Sequence, residues 1–238
     1  MGKPIRKLYI LAGYRASGKT SALHIANERD DFPLFRPPSM SDFKRISEFN
    51  SELSSNSGFH SLKQLGKHSA AEHQLLGIHY DLLLPLQSLM HELVASRYSP
   101  NERNNRTPEF YTQLIAENIE NGVLYKSIHH QLAQIVKMAR AFDETEFSFI
   151  KSNWDANRKD WIMRVERLTG RPVEKLRSDP QYSFNLAVFG NNPTLGQKLY
   201  DFIHNSWIEA LDQTGITYMS VKRSGTHYDL QLVGPSKR

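Results

Sequence analysis

The segment Gly13–Thr20 constrains this chain more than any other, because its glycines stand at fixed spacing between two different predicted elements. Its sequence, GYRASGKT, has the form G-x-x-x-x-G-K-T. The apolar run Leu8–Ala12 precedes it and predicts a buried strand, and Ser21–Asn27 follows it with the composition of a helix. Glycine adopts backbone conformations closed to other residues, so the connecting loop can curl tightly. The sequence therefore predicts a strand, a tight loop and a helix in immediate succession.

This pattern resembles the phosphate-binding loop of the P-loop NTPase superfamily, and the resemblance covers about the first 30 residues. It implies that backbone N–H groups of the loop, with the amino end of the following helix, bind phosphate oxygens. The residues that it assigns to the nucleotide are Gly13, Arg15, Ala16, Ser17, Gly18, Lys19, Thr20 and Ser21. The Arg15 side chain would either contact the γ-phosphate or point to solvent. The Lys19 ammonium would reach the β- and γ-phosphates, and the Thr20 hydroxyl would bind Mg²⁺. A chance glycine-rich turn is disfavoured because the strand, the helix and the GKT triplet occur together.

Length and composition limit the classes of protein that this chain can belong to. With 238 residues it suits a single P-loop nucleotide-binding domain over residues 1–238. The net charge of +5 fits an anionic ligand and is compatible with nucleic acid without requiring it. The lack of cysteine excludes disulfides, cysteine-ligated zinc and a thiol nucleophile. No stretch has the length of a membrane span or the form of a signal peptide, so we expect a cytoplasmic protein that binds no membrane. The sequence does not indicate an oligomeric state.

Predicted strands alternate with predicted helices along the chain, which is typical of an α/β three-layer sandwich with a mostly parallel sheet. The strands after the loop are predicted at Leu34–Arg36, Leu75–Asp81, Glu146–Lys151 and Ile216–Val221, with a C-terminal antiparallel strand at Tyr228–Val233. The helices are predicted at Pro85–Tyr98, Pro108–Glu120, Leu124–Phe142, Asp155–Thr169 and Thr194–Gln213. The segment before the last helix is predicted to be irregular.

Two stretches, at about residues 39–75 and about residues 99–145, are predicted to be helical insertions. In the first, Phe43, Ile46 and Phe49 have helical spacing and predict an amphipathic helix. The second begins with the polar loop Ser99–Thr107, whose arginines either close over an acceptor or lie in a disordered segment.

Asp81 ends the predicted strand Leu75–Asp81 and is the candidate acidic partner of the loop. In the P-loop kinases that the chain resembles, the third strand lies beside the P-loop strand. If Leu34–Arg36 is the second strand, Asp81 lies at the carboxyl edge of the sheet beside the phosphates. It would there bind magnesium or accept the proton of an acceptor hydroxyl. The alternative is that Asp81 only caps the next helix. Asp229 is the rival carboxylate, since Gly77–Leu84 and Gly225–Leu232 share the pattern G-x-H-Y-D-L-x-L.

The segment after the predicted strand Glu146–Lys151 is rich in arginine. P-loop kinases place here a lid whose arginines clamp the transferring phosphoryl group. Arg158 lies nearest the strand and is the candidate for this role, with a solvated helix face as the alternative. The solvated face is favoured for Arg167 and Arg171. The side chains expected to pack on the body are Trp161, Ile162, Val165 and Leu168.

These observations predict a small kinase that transfers the γ-phosphoryl group of Mg-ATP to an unidentified small-molecule acceptor. Lys19, Asp81 and Arg158 would be its catalytic residues, and Thr20 and Asp81 its magnesium ligands. The absence of the guanine-specific pattern N-K-x-D favours ATP over GTP. A sulfotransferase-like enzyme is one alternative, which the complete GKT and a magnesium acid disfavour because its donor needs no metal. The second alternative is a nucleotide-binding regulator without turnover. It is favoured because polar residues interrupt the apolar run before Asp81.

Overall fold

The computed structural model describes residues 5–22, 43–45, 75–99, 106–214, 216, 218–223 and 232–233 of the chain. Within these ranges strands alternate with helices, and neighbouring strands of the sheet run mainly parallel. This is the α/β class predicted from the sequence, and it is compatible with a three-layer sandwich.

The sheet is formed by β1 (Lys7–Gly13), β2 (Phe43–Arg45), β3 (Leu75–Asp81), β4 (Glu144–Lys151), β5 (Tyr218–Lys222) and β6 (Leu232–Val233). Its spatial order is β2-β3-β1-β4-β5-β6. The ladders from β2 to β5 are parallel, in agreement with the mostly parallel sheet predicted from the sequence. The segment β6 pairs antiparallel with β5 through two residue pairs. The rest of the predicted strand Tyr228–Val233 lies outside the described residues.

The central strand β1 lies between β3 and β4, and its residues Leu8–Ala12 are buried. A strand buried on both faces has a continuous apolar sequence, which is why this segment shows no alternation of polar and apolar residues. Its neighbour β4 is buried over Phe147–Ile150, where the rings of Phe147 and Phe149 lie 4.9 Å apart. The segment Gly13–Thr20 therefore follows directly from a strand that is buried over six of its seven residues.

The strand β2 corrects the prediction of an amphipathic helix in the first insertion. Phe43–Arg45 pairs in parallel with β3, with Phe43 opposite Gly77 and Arg45 opposite His79. Apolar residues three positions apart fit a helix. A strand of three residues is too short to show the two-residue alternation typical of strands. Its conformation is therefore decided by pairing with β3. The predicted strand Leu34–Arg36 lies outside the described residues.

The helices follow the sequence prediction closely. Residues 19–22 begin helix α1. The later helices are α2 (Leu84–Arg97), α3 (Pro108–Glu120), α4 (Val123–Ala139), α5 (Trp154–Thr169), α6 (Pro180–Leu186) and α7 (Pro193–Asp212). A 3₁₀ turn at Val173–Leu176 and a π-helix at Ala187–Asn191 accompany α6. The segment between α5 and α7 is thus mostly helical, and the prediction of irregular structure there is wrong.

The ends of α5 show how the sequence sets its boundaries. The Asn153 side chain accepts a hydrogen bond from the backbone N–H of Asp155 at 2.7 Å, so Asn153 is the N-cap, not Asp155 as predicted. Asp155 lies in the first turn, where its charge complements the helix dipole. Gly170 ends the helix as predicted, with a left-handed φ of 65° and its N–H bonded to the Glu166 carbonyl.

The chain divides into two compact units. The first contains Met1–Asp81, Gln131–Ser152 and Leu211–Arg238, and therefore the sheet and the P-loop sequence. The second contains Leu82–His130 and Asn153–Ala210. In the second unit the Phe189 ring stacks on Trp154 at 5.5 Å and on Trp161 at 5.0 Å.

In the part of the chain that the structure describes, every helix is too short or too polar to cross a membrane.

Candidate functional site

The predicted succession of strand, loop and helix is confirmed at the candidate site. β1 ends at Gly13, and α1 begins at Lys19. Between them the backbone N–H of Ser17 donates to the Tyr14 carbonyl at 3.0 Å, which closes a tight turn. The N–H of Ala22 donates to the Gly18 carbonyl at 2.9 Å and forms the first turn of the helix. The loop between β1 and α1 (residues 14–18) is hereafter called the P-loop, after the sequence pattern to which it belongs.

Two residues of the P-loop have left-handed backbone conformations. Gly18 has a φ of 87°, which glycine adopts without steric cost. Ala16 has a φ of 61°, which costs an L-residue about 1–2 kcal/mol. Changes between right- and left-handed residues turn successive N–H groups toward one side of the chain and so create a concave anion site. The strain at Ala16 is consistent with a loop shaped for binding.

Gly13 is held at the start of the P-loop by close packing. A β-carbon at this position would overlap the Ser17 Oγ atom and would lie 3.1 Å from the Ile150 carbonyl oxygen. Ser17 is itself fully buried, and its hydroxyl has no hydrogen-bond partner among the described residues. A buried hydroxyl without a partner is costly, and a phosphate oxygen or a water would satisfy it.

The Lys19 side chain folds back across the P-loop. Its ammonium donates to the Gly13 carbonyl at 2.9 Å and to the Tyr14 carbonyl at 3.0 Å. These bonds keep a positive charge at the loop. An anionic phosphate oxygen is a stronger acceptor for an ammonium than a neutral carbonyl oxygen, so the two bonds can be exchanged for phosphate contacts.

Asp81 lies beside the P-loop, as predicted. It is the last residue of β3 and is paired with Gly13 in the parallel β1–β3 ladder. Its Oδ2 atom accepts a hydrogen bond from Nε of Arg15 at 2.8 Å, a contact that the sequence does not predict. The two side chains are 22% and 23% exposed, so the ion pair is partly sheltered from solvent. The structure therefore joins two predicted site residues in one ion pair.

The oxygen atoms available at this place suit magnesium. Thr20 is exposed in the first turn of α1 and offers a hydroxyl, and Asp81 offers a carboxylate. Magnesium prefers oxygen ligands and commonly takes only one or two from the protein, with phosphate oxygens and water completing the octahedron. Over the described ranges, no three His, Asp or Glu side chains come together in a cluster that could hold a metal. These residues therefore fit a metal that arrives with a nucleotide.

Burial raises the pKa of the Tyr80 phenol, and the neighbouring Asp81 carboxylate raises it further. The Tyr80 hydroxyl donates to Gln131 Oε1 at 3.0 Å. Tyr80 therefore stays neutral next to the P-loop at every physiological pH.

Arg223 is a basic residue of the site that the sequence analysis missed. Its backbone N–H donates to the Lys151 carbonyl at 2.7 Å, just beyond the paired residues of β4 and β5. Its Nη1 atom donates to the Ala16 carbonyl of the P-loop at 3.4 Å. Its position in the sequence could have indicated this role. An arginine directly after a parallel strand lies at the carboxyl edge of the sheet, where the P-loop also lies.

Arg158 belongs to the second unit, where a hydrogen bond to the backbone holds its side chain. Its Nε atom donates to the Phe189 carbonyl at 2.7 Å, within the π-helix. Arg167 is exposed, in agreement with a solvated helix face. Arg171 is exposed but lies beyond the end of α5, where its Nη2 atom donates to the Lys175 carbonyl at 2.8 Å. Trp161 and Val165 are buried as predicted, but Leu168 is 70% exposed, so the prediction that it packs on the body is wrong.

The other candidates are described only in part. Asp229, the rival carboxylate, lies outside the described residues. Of the polar loop Ser99–Thr107, the described Arg106 is buried, with its guanidinium 4.7 Å from the Tyr98 ring centre and 5.2 Å from that of Phe110. Arg106 thus packs against aromatic rings of the second unit.

Comparison of the chain with protein-family models, with curated proteins and with solved structures found no match. The resemblance to P-loop proteins is therefore a matter of Gly13–Thr20 and of the elements around it.

Proposed function

We propose that this protein binds a nucleoside triphosphate at the P-loop and is a kinase that transfers the γ-phosphoryl group of Mg-ATP to a small-molecule acceptor. The observation that carries the proposal is the pairing of Asp81 with Gly13 across β1 and β3. It brings a carboxylate to the P-loop, which leads directly into the first turn of α1 with Lys19 and Thr20. The carboxyl edge of a parallel sheet is where ligands of α/β proteins bind.

Phosphoryl transfer needs mainly positioning and charge stabilisation, which these residues are suited to supply. Backbone N–H groups of the P-loop and of the first turn of α1 would hold phosphate oxygens. Lys19 would exchange its two carbonyl partners for oxygens of the β- and γ-phosphates. In the reaction an acceptor oxygen bonds to the γ-phosphorus while the bond to the bridging oxygen breaks, and the hydroxyl proton passes to a base such as Asp81 or to water. Magnesium, when bound, neutralises charge on the phosphates.

A thermal-unfolding panel tests the nucleotide part of this proposal. The protein is heated with ATP, GTP or adenosine 3′,5′-bisphosphate, each with and without Mg²⁺. A ligand present at 100 times its dissociation constant stabilises the folded protein by about 2.7 kcal/mol. We expect the largest shift with ATP and Mg²⁺, and little shift for the Lys19→Ala variant under the same conditions. Metal-independent stabilisation by the bisphosphate alone would indicate a sulfotransferase-like site instead.

A nucleotide-binding regulator without turnover is the second candidate, and two contacts favour it. Arg15 donates a hydrogen bond to the Asp81 carboxylate, and Arg158 donates one to the Phe189 carbonyl, so two of the three proposed catalytic side chains have structural partners. Incubation with γ-labelled ATP and a mixture of small hydroxyl compounds distinguishes the two. Saturable Mg-ATP binding without labelled product or released phosphate would favour the regulator.

A further inference from the structure

The ion pair between Arg15 and Asp81 places a cation on the carboxylate that magnesium would need. The donor is Nε of Arg15, the acceptor is Oδ2 of Asp81, and the distance of 2.8 Å is that of a charge-assisted hydrogen bond. Both residues are positioned by the backbone. Asp81 is fixed by the β1–β3 ladder, and Arg15 lies two residues beyond Gly13, its partner in that ladder.

We propose that Arg15 competes with magnesium for Asp81 and thereby sets the metal concentration at which the P-loop binds a nucleoside triphosphate. This inference rests on the proposed function. A divalent cation and a guanidinium on one carboxylate repel each other, and the repulsion is stronger in a partly sheltered site than in water. Each cation must therefore weaken the binding of the other, by the same factor in both directions.

The competition also links the metal to the anion. While Arg15 is bound to Asp81, the carboxylate cancels its charge, and the P-loop attracts phosphate mainly through Lys19 and backbone N–H groups. When a metal occupies Asp81, Arg15 loses this carboxylate partner, and its guanidinium can donate to phosphate oxygens on the loop that carries it. Metal and triphosphate then assist each other's binding through Arg15, which makes Arg15 a specificity-determining residue for the metal-loaded nucleotide.

Two substitutions are expected to act in opposite directions. Arg15→Gln removes the competitor, so half-maximal binding of a fluorescent ATP analogue should require about tenfold less Mg²⁺. Asp81→Asn removes the carboxylate that binds Arg15, so metal-free binding of the analogue should become about tenfold tighter and should depend less on Mg²⁺. If the ion pair only stabilised the shape of the loop, both Arg15→Gln and Asp81→Asn should bind the analogue more weakly than the parent protein. Arg15→Lys keeps a cation and should give an intermediate Mg²⁺ midpoint.

Arg6→Gln is the matched control. Arg6 forms an ion pair with Asp143 at 3.0 Å just before the opposite end of β1, and its loss should leave the Mg²⁺ midpoint unchanged. The measurement is analogue fluorescence against Mg²⁺ concentration, with Mg²⁺-dependent melting of the nucleotide-free protein as a second readout. In that readout Mg²⁺ should stabilise Arg15→Gln more than the parent protein.

An unchanged or higher midpoint in Arg15→Gln and Arg15→Lys, with normal Mg²⁺-dependent binding by the parent protein, would overturn this inference and leave the proposed function intact. Weaker metal-free binding of the analogue by Asp81→Asn than by the parent protein would also overturn this inference and leave the proposed function intact. If the parent protein bound the analogue at no Mg²⁺ concentration, the proposed function and this inference would both be wrong.

Discussion

Gly13 and Ser17 lie so close together that a β-carbon on Gly13 would overlap the Ser17 Oγ atom. The same β-carbon would lie 3.1 Å from the Ile150 carbonyl of the neighbouring strand, which cannot move without disturbing the β1–β4 ladder. The first glycine of the motif is thus required by packing where the P-loop leaves the sheet.

Gly13→Ala should therefore lower the free energy of unfolding by about 1–3 kcal/mol, the usual cost of overpacking a buried site. It should also weaken nucleotide binding, because the P-loop must shift to relieve the overlap. Gly122→Ala is the control, since its β-carbon meets nothing within 4 Å. Its φ of 71° should cost stability alone, by about 1 kcal/mol. Urea unfolding and nucleotide titration measure the two effects, and equal binding by both variants would refute the argument.

The Lys19 side chain is expected to discriminate triphosphate from diphosphate. Its ammonium now lies on the Gly13 and Tyr14 carbonyls, and only a ligand with a γ-phosphate offers it the full set of anionic partners. Lys19→Ala should weaken ATP binding by about tenfold to a hundredfold and ADP binding much less. Lys137→Ala, at an exposed position of α4, should change neither. Isothermal titration measures both affinities, and equal small losses would place the ammonium elsewhere.

The parts of the fold and site that the sequence predicts are those encoded by contiguous residues. The apolar run Leu8–Ala12 and the glycine spacing predict β1 and the P-loop because burial and backbone conformation are local requirements. Asp81 is predicted correctly beside the P-loop because it ends a strand, and strand ends of a parallel sheet share one edge.

The parts that the sequence does not predict are contacts between distant residues. Arg15 and Asp81 are 66 positions apart, and Arg223 and Ala16 are 207 positions apart, so no local pattern relates them. The strand β2 is missed for a related reason: three residues carry no period, and the edge of β3 determines their conformation.

Arg158 is expected to contribute to stability through its bond to the Phe189 carbonyl. Arg158→Ala should lower the free energy of unfolding by about 1–2 kcal/mol, because a carbonyl that is bound by a charged donor loses its partner. Arg167→Ala, at an exposed position of the same helix, should cost little. A lid role predicts in addition a loss of turnover of about a hundredfold to a thousandfold for Arg158→Ala. Unchanged turnover in a protein of lowered stability would limit Arg158 to a structural role.

Ionisation of Glu146 is expected to destabilise the folded protein, whereas ionisation of most carboxylates stabilises it. It lies opposite Tyr9 in the β1–β4 ladder, and burial raises its pKa above the ordinary 4.5, with Lys7 opposing and Glu144 adding to the shift. The folded protein therefore binds this proton more tightly than the unfolded chain does. The associated stability is fully present below about pH 4.5 and is lost as the pH rises through the folded-state pKa.

Glu146→Gln should consequently be more stable than the parent protein at about pH 7 and should lose less stability between about pH 4 and pH 7. The gain should be no more than about 0.5 kcal/mol, because solvent screens a partly exposed carboxylate. Glu144→Gln is the control, since its partner Lys7 lies 2.6 Å away and its loss should be neutral or slightly destabilising. Urea unfolding over this pH range measures both variants. A Glu146→Gln protein less stable than the parent at neutral pH would show that its charged form is the one the sheet favours.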